Sequence, residues 1–149
     1  MTGRKILWTT MAGLLVAAVA VGQAAKIYPG AKKYTPPDTE ETREAAKAMP
    51  PDMQSTIYLS EDAYDKVASF YRGQGKEFTM PGMQKGAKLP SGQEMHQSFF
   101  ILDGAEDLRD SKSWVKVQRP FIGSVVMKDG APEFKDIRDV TAIEVVEKK

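Results

Sequence analysis

The chain has 149 residues, 42% of them hydrophobic and 28% charged, which is the make-up of one folded domain and excludes a disordered tail or a collagen-like fibre. Its 21 basic and 20 acidic residues leave a net charge of +1, too little to make a nucleic-acid surface from net charge alone. The absence of cysteine removes disulfides, thiolate metal sites, thiol catalysis and lipid attachment through an N-terminal cysteine.

At the front, Arg4 and Lys5 precede a run from Ile6 to Ala25 with no ionisable side chain before Lys26. A positive start, an Ala/Val/Leu stretch from Met11 to Val21 and the small-x-small pattern Gly22-Gln23-Ala24 are the parts of a secretory signal peptide. Residues 1–25 are therefore expected to be a signal peptide cleaved after Ala24 or Ala25. The competing reading is an uncleaved membrane anchor, because about 20 residues at about 1.5 Å each span about 30 Å. Gln23 and the many alanines favour cleavage. Without Arg4 and Lys5 the remaining chain carries 19 basic and 20 acidic residues, a net charge of −1. The expected location is periplasmic or secreted, or the inner membrane with a single N-terminal anchor if the leader stays.

Residues 26–54 read as an extended arm and a short helix. Tyr28-Pro29-Gly30-Ala31 and Pro36-Pro37 punctuate the arm. Thr39 caps a helix running to about Met49, with Glu40 and Glu41 at its positive end and Pro50-Pro51 as its stop. Thr42 at the third position departs from the ideal capping box. Residues 55–149 read as a single α+β domain. Ser55 to Leu59 is β-prone. Ser60-Glu61-Asp62 then opens the main helix, in which Ala63, Tyr64, Val67, Ala68, Phe70 and Tyr71 recur at helical spacing until Gly73 and Gly75.

Lys76 to Met80 reads as a short strand and Pro81 to Gln93 as a long loop. Gln97 to Leu102 lacks polar alternation and is expected to be buried on both faces. Ala105 to Arg109 reads as a helical turn, Trp114 to Gln118 as an alternating strand, Phe121 to Lys128 as a strand ended by Asp129-Gly130, and Val140 to Val146 as an interior strand. The expected fold is α+β: a mostly antiparallel sheet of four to five strands with one main helix and one short N-terminal helix.

Methionine supplies the most suggestive chemistry. Met80 and Met83 stand at M-x-x-M spacing, and Met95 and His96 close the same loop, so three thioethers and an imidazole form a soft ligand set suited to Cu(I). The alternative is methionine as gap-filling hydrophobe. His96 is the single histidine, so a multi-histidine zinc site is excluded, and a general base would need a carboxylate close in space. Glu106, Asp107 and Asp110 cluster, as do Asp136 and Asp139, each group among basic neighbours that suit a charge-balanced surface. No glycine pattern forms a phosphate cradle. Trp114, sharing its strand face with Lys116 and Gln118, and Tyr71 are candidates for a ligand or partner surface; the alternative for such aromatics is the core.

Tyr28-Pro29-Gly30-Ala31, Ser55-Thr56-Ile57-Tyr58-Leu59-Ser60-Glu61-Asp62 and Val67-Ala68-Ser69-Phe70-Tyr71 together resemble small exported bacterial proteins of unknown function, in which such an arm precedes a strand, an acidic helix start and a Val-x-x-Phe-Tyr helix. The resemblance covers about a third of the chain and implies an envelope protein with a compact α+β domain and no activity. The lipobox cysteine of the many lipoproteins in that group is missing here. The strand and helix ending in Phe70-Tyr71-Arg72 are also similar to the first βα unit of glyoxalase-like (vicinal oxygen chelate) modules. Their metal-dependent members use His and Glu ligands on successive strands; with His96 alone beside Glu94 and Gln97, the similarity implies a metal-free binding relative.

The expected function is a non-catalytic exported binding or accessory domain of the bacterial cell envelope, with no cofactor and with an envelope protein or small ligand as partner. The membrane enters only if the leader is retained. The alternative is a periplasmic metal-handling module built on Met80, Met83, Met95 and His96.

Overall fold

The computed structural model describes residues 24–79 and 87–149. Over these residues the chain runs β1 (Lys32–Tyr34), α1 (Glu40–Ala48), β2 (Met53–Ser60), α2 (Tyr64–Arg72), β3 (Lys76–Phe78), β4 (Ala87–Lys88), β5 (Glu94–Ile101), β6 (Ser113–Arg119), β7 (Phe121–Lys128), β8 (Ala131–Arg138) and β9 (Thr141–Lys148). This corrects the expected α+β sheet of four to five strands. The described residues are mostly β, with nine strands in a seven-stranded and a two-stranded sheet and two short helices. The strands absent from the sequence reading are β1, β4 and β8. They are largely exposed and lack an apolar period, so pairing with a neighbouring backbone, and not burial, recruits them.

The large sheet has the order β1-β2-β9-β6-β5-β3, with β4 also paired to β5, and every ladder is antiparallel. The last strand, β9, lies between β2 and β6, as the β-branched run from Val140 to Val146 predicts for an interior strand. Alternation sorts each strand onto two faces. On one face Phe100, Val115, Val117, Ile143 and Val145 are buried under Val67, Ala68 and Tyr71 of α2 and under Tyr28 of the arm. On the other, Phe99, Ile101, Trp114 and Val146 cluster with Leu108 from the loop between β5 and β6. Ser98 to Ile101 are therefore all buried, the outcome expected of an unbroken apolar run.

That loop contains no helix over Ala105 to Arg109. A single turn closes with Ser111 N–H donating to the Asp107 carbonyl at 3.1 Å. Asp103 fastens it, accepting from the Ser111 hydroxyl at 2.8 Å and the Lys112 N–H at 2.6 Å. Burial pushes the Asp103 carboxyl up, but the bonds from Lys112 and Ser111 outweigh it and hold the group below its ordinary value.

In α1 the capping box is complete despite Thr42. Thr42 N–H donates to Thr39 Oγ1 at 3.2 Å, and Thr39 N–H donates to Thr42 Oγ1 at 3.0 Å, so a hydroxyl does the work usually given to a glutamate. The helix buries none of its side chains. Strands β7 and β8 form a ribbon outside the large sheet, joined by Asp129-Gly130 with φ of 52° and 79°. Two successive positive φ angles make the tight hairpin turn whose twist matches its strands, and glycine takes the second without a side-chain penalty.

Candidate functional site

Met80 and Met83 lie outside the described residues. Met95 and His96 are consecutive on β5 and so project to opposite faces of that strand. The His96 ring lies 5.4 Å from that of Tyr64, and its Nε2 is 3.9 Å from Glu94 Oε1, beyond hydrogen-bond reach. Among the described residues no group of three or more His, Asp or Glu side chains is placed to hold a metal ion.

Next to His96 is a relay that the sequence reading missed. The Tyr64 hydroxyl bonds Ser98 Oγ, Ser98 Oγ donates to Glu77 Oε1 at 3.2 Å, and Arg72 Nε lies 3.3 Å from Glu77 Oε2. Burial pushes the Tyr64 hydroxyl above its ordinary pKa, so it acts as a neutral donor. The Glu77 carboxylate serves here as a hydrogen-bond acceptor, with the Arg72 guanidinium beside it. No local motif announces this chain, since it joins α2, β3 and β5.

Tyr71 and Trp114 are core residues. Tyr71 has no exposed surface, and its hydroxyl accepts from the Tyr28 N–H at 3.1 Å and donates to the Lys26 carbonyl at 2.9 Å. Trp114 does share a face with Lys116 and Gln118, but Leu108 packs into its cluster and the Lys148 ammonium sits 5.1 Å from its ring, leaving it 8% exposed. Alternation identified the face correctly; the loop that covers it is a long-range feature.

Three of the acidic candidates are paired with cations. Asp107 meets Arg109 at 3.1 Å, Asp136 meets Arg138 at 2.9 Å, and Asp139 meets Arg119 at 3.0 Å. Arg119 is an architectural hub: it also donates to the carbonyls of Asp62 and Asp139 and to the Thr141 hydroxyl, tying together the turns that follow β2, β6 and β8.

Among the described residues, the large exposed hydrophobics are Ile27 on the arm and Val125, Met127 and Ile137 on the β7–β8 ribbon. Cross-strand register puts Val125 opposite Phe134 and Met127 opposite Pro132, and alternation places all four on one face. Val125 is 53% and Met127 70% exposed, and with Pro132 and Phe134 they make one apolar strip. A cleft of about 370 Å³ adjoins them, bounded by Pro132, Phe134 and Ile137 of β8 and by Pro90 and Ser91 from the turn before β5, with Lys128 at its rim. At the ribbon's root, Tyr34 packs edge-on to Phe121 at 4.8 Å beneath the Arg138 guanidinium, and Glu41 of α1 reaches Lys135 at 4.0 Å.

Among the described residues no helix is long and apolar enough to cross a membrane. Comparison with protein-family models, with curated proteins and with solved structures finds no match for this chain.

Proposed function

We propose that the protein is an exported, non-catalytic accessory domain of the bacterial cell envelope that docks a partner polypeptide on the β7–β8 ribbon. The observation that carries this reading is the exposed apolar face of Val125 and Met127, beside a cleft, on a ribbon that the large sheet does not need for its own core. Among the described residues, the helix-covered face of the sheet is filled by Tyr28 and α2. Two eight-residue strands at about 3.4 Å per residue are about 27 Å long and about 10 Å wide, roughly 270 Å² of face. That is about a third of the roughly 800 Å² each partner contributes to a stable interface, so it suits a short extended segment of another protein better than a second copy of this chain. Export rests on Arg4, Lys5, the apolar run and Gly22-Gln23-Ala24.

A photo-crosslinking residue at position 127 in living cells is expected to give one discrete adduct. That adduct should be absent when the same residue stands at Glu44, and lost in Val125→Asp protein that keeps its melting temperature. An adduct indifferent to Val125→Asp, or none, refutes ribbon docking. Mass spectrometry of the periplasmic fraction is expected to find a chain starting at Ala25 or Lys26; intact protein starting at Met1 in the cytosol refutes export. A Cu(I)-induced rise in melting temperature that disappears in Met95→Leu/His96→Ala would replace partner docking by metal handling.

A further inference from the structure

A separate pocket of about 50 Å³ lies where the root of the ribbon meets the sheet face opposite α2, lined by Lys116, Glu144, Gln118 and apolar Ile57, Phe121 and Ile122. Its floor is chemically out of place. β6 and β9 are interior strands, and the same face is apolar one step along, at Trp114 and Val146. Yet Lys116 and Glu144 stand directly opposite one another there with side chains only 30% and 32% exposed. Withdrawing an ammonium and a carboxylate from water is costly, and the pair does not recover that cost by bonding tightly. Lys116 Nζ is 4.0 Å from Glu144 Oε2, while Glu144 Oε1 accepts from the Ser55 hydroxyl at 2.7 Å. A donor and an acceptor are thus held at the edge of contact, on the wall of one pocket.

We infer that this pocket binds a neutral amide group, with its carbonyl accepting from Lys116, its N–H donating to Glu144 and its alkyl part against Ile57 and Ile122. The electrostatics choose the class. An anion would meet Glu144 and a cation would meet Lys116 within a few ångströms, whereas an amide satisfies both partners at once. Size agrees: at about 10–15 Å³ per water-sized group, 50 Å³ takes roughly three to five heavy-atom groups, the size of acetamide. The amide belongs to a side-chain carboxamide or to the acetamido group of an amino sugar, with the rest of the ligand outside.

The test is a nuclear magnetic resonance titration of isotope-labelled protein as isolated from its host. The ligands are acetamide, its charged relatives acetate and methylammonium, and the two sources glutamine and N-acetylglucosamine. Acetamide is expected to give saturable shifts at Lys116, Gln118, Ile122 and Glu144, at least tenfold tighter than either charged relative, and the tighter of glutamine and N-acetylglucosamine identifies the source. Lys116→Met and Glu144→Met should each weaken acetamide at least tenfold, because each removes one of the two polar partners. Where either variant unfolds, Lys116→Arg, which keeps the charge but displaces the donor, replaces it with the same expectation. Acetate binding as well as acetamide, or an absence of shifts at these residues, overturns the inference. Either result leaves ribbon docking untouched, since neither Val125 nor Met127 lines this pocket.

Discussion

Tyr71 is one residue with two tasks. Its ring fills the core under α2, and its hydroxyl ties down the arm by accepting from Tyr28 N–H and donating to Lys26 C=O. Tyr28, so held, packs its ring 5.3 Å from Phe70 and donates its own hydroxyl to Asp62 at 2.6 Å. Replacing Tyr71 by Phe keeps the ring and leaves a buried N–H without its partner, which is expected to cost about 1–3 kcal/mol in urea denaturation and to speed hydrogen exchange at the Tyr28 amide above all. Unchanged exchange at Tyr28 would contradict the arm's dependence on this hydroxyl. Burial pushes the Tyr71 hydroxyl from 10.0 up to about 12. A group raised on folding contributes its full stability below its unfolded pKa, so this contribution is complete below about pH 10 and is lost as pH rises through 12. Asp62 works in the opposite sense. The Tyr28 hydroxyl, and then Lys66, hold its carboxyl below the ordinary value, so its share is present above that value and fades as pH falls through the folded pKa. Arm release, followed by the ring resonances of Tyr28, is accordingly expected at both extremes of pH, with the alkaline step smaller in Tyr71→Phe, where the Tyr28 hydroxyl, itself raised by its bond to Asp62, still titrates.

Among the elements, the ribbon owes its shape to one crowded pair. Asp136 sits in β8 with φ of 53°, opposite Gly123 of β7, and a Cβ on Gly123 would lie 2.7 Å from Asp136 Cβ. Gly123→Ala is therefore expected to destabilise the ribbon by about 1–3 kcal/mol. Asp136→Gly in the same chain should restore most of the loss, because it removes both the clash and the side chain held at positive φ. The exposed ion pair given up with Arg138 is a minor debit. Thermal unfolding of the three variants measures this; a double variant no better than Gly123→Ala would place the strain elsewhere. Two features blunt the edge of β8 against pairing with another chain: Pro132 cannot donate to a ladder, and Asp136 departs from extended backbone at its positive φ.

For the whole molecule, the strand order makes β9 the keystone. β1 and β2 reach the rest of the sheet through β9, whose register spans Met53–Ser60 on one side and Ser113–Gln118 on the other. A chain ending at Asp139 is expected to lose cooperative unfolding altogether, followed by circular dichroism in urea, because Ile143, Val145 and Val146 leave both apolar clusters at once. Retention of a sharp transition would mean that β5, β6 and α2 suffice as a core. Pairing between segments distant in the sequence also limits what a local pattern can reveal. α2 and β5 carry their own apolar patterns and were legible, as was the Asp129-Gly130 turn. β8 was missed because Pro132 and the scattered charges of Glu133, Lys135, Asp136 and Arg138 erase any periodicity. Of the candidate residues, Tyr71 and Trp114 are buried, the core alternative that their aromatic character leaves open.

Residue order and chemistry are enough to set where the chain breaks and which runs must leave water. Prolines, glycines and apolar spacing are local properties that act through backbone angles and hydration. Tertiary structure alone decided that Lys32-Lys33-Tyr34 and Ala131–Arg138 become strands, that a loop buries Trp114, and that Lys116 meets Glu144 across two interior strands. These depend on register between segments far apart in the chain, where the free energy of a residue is set by what lies opposite it and not by its neighbours in sequence.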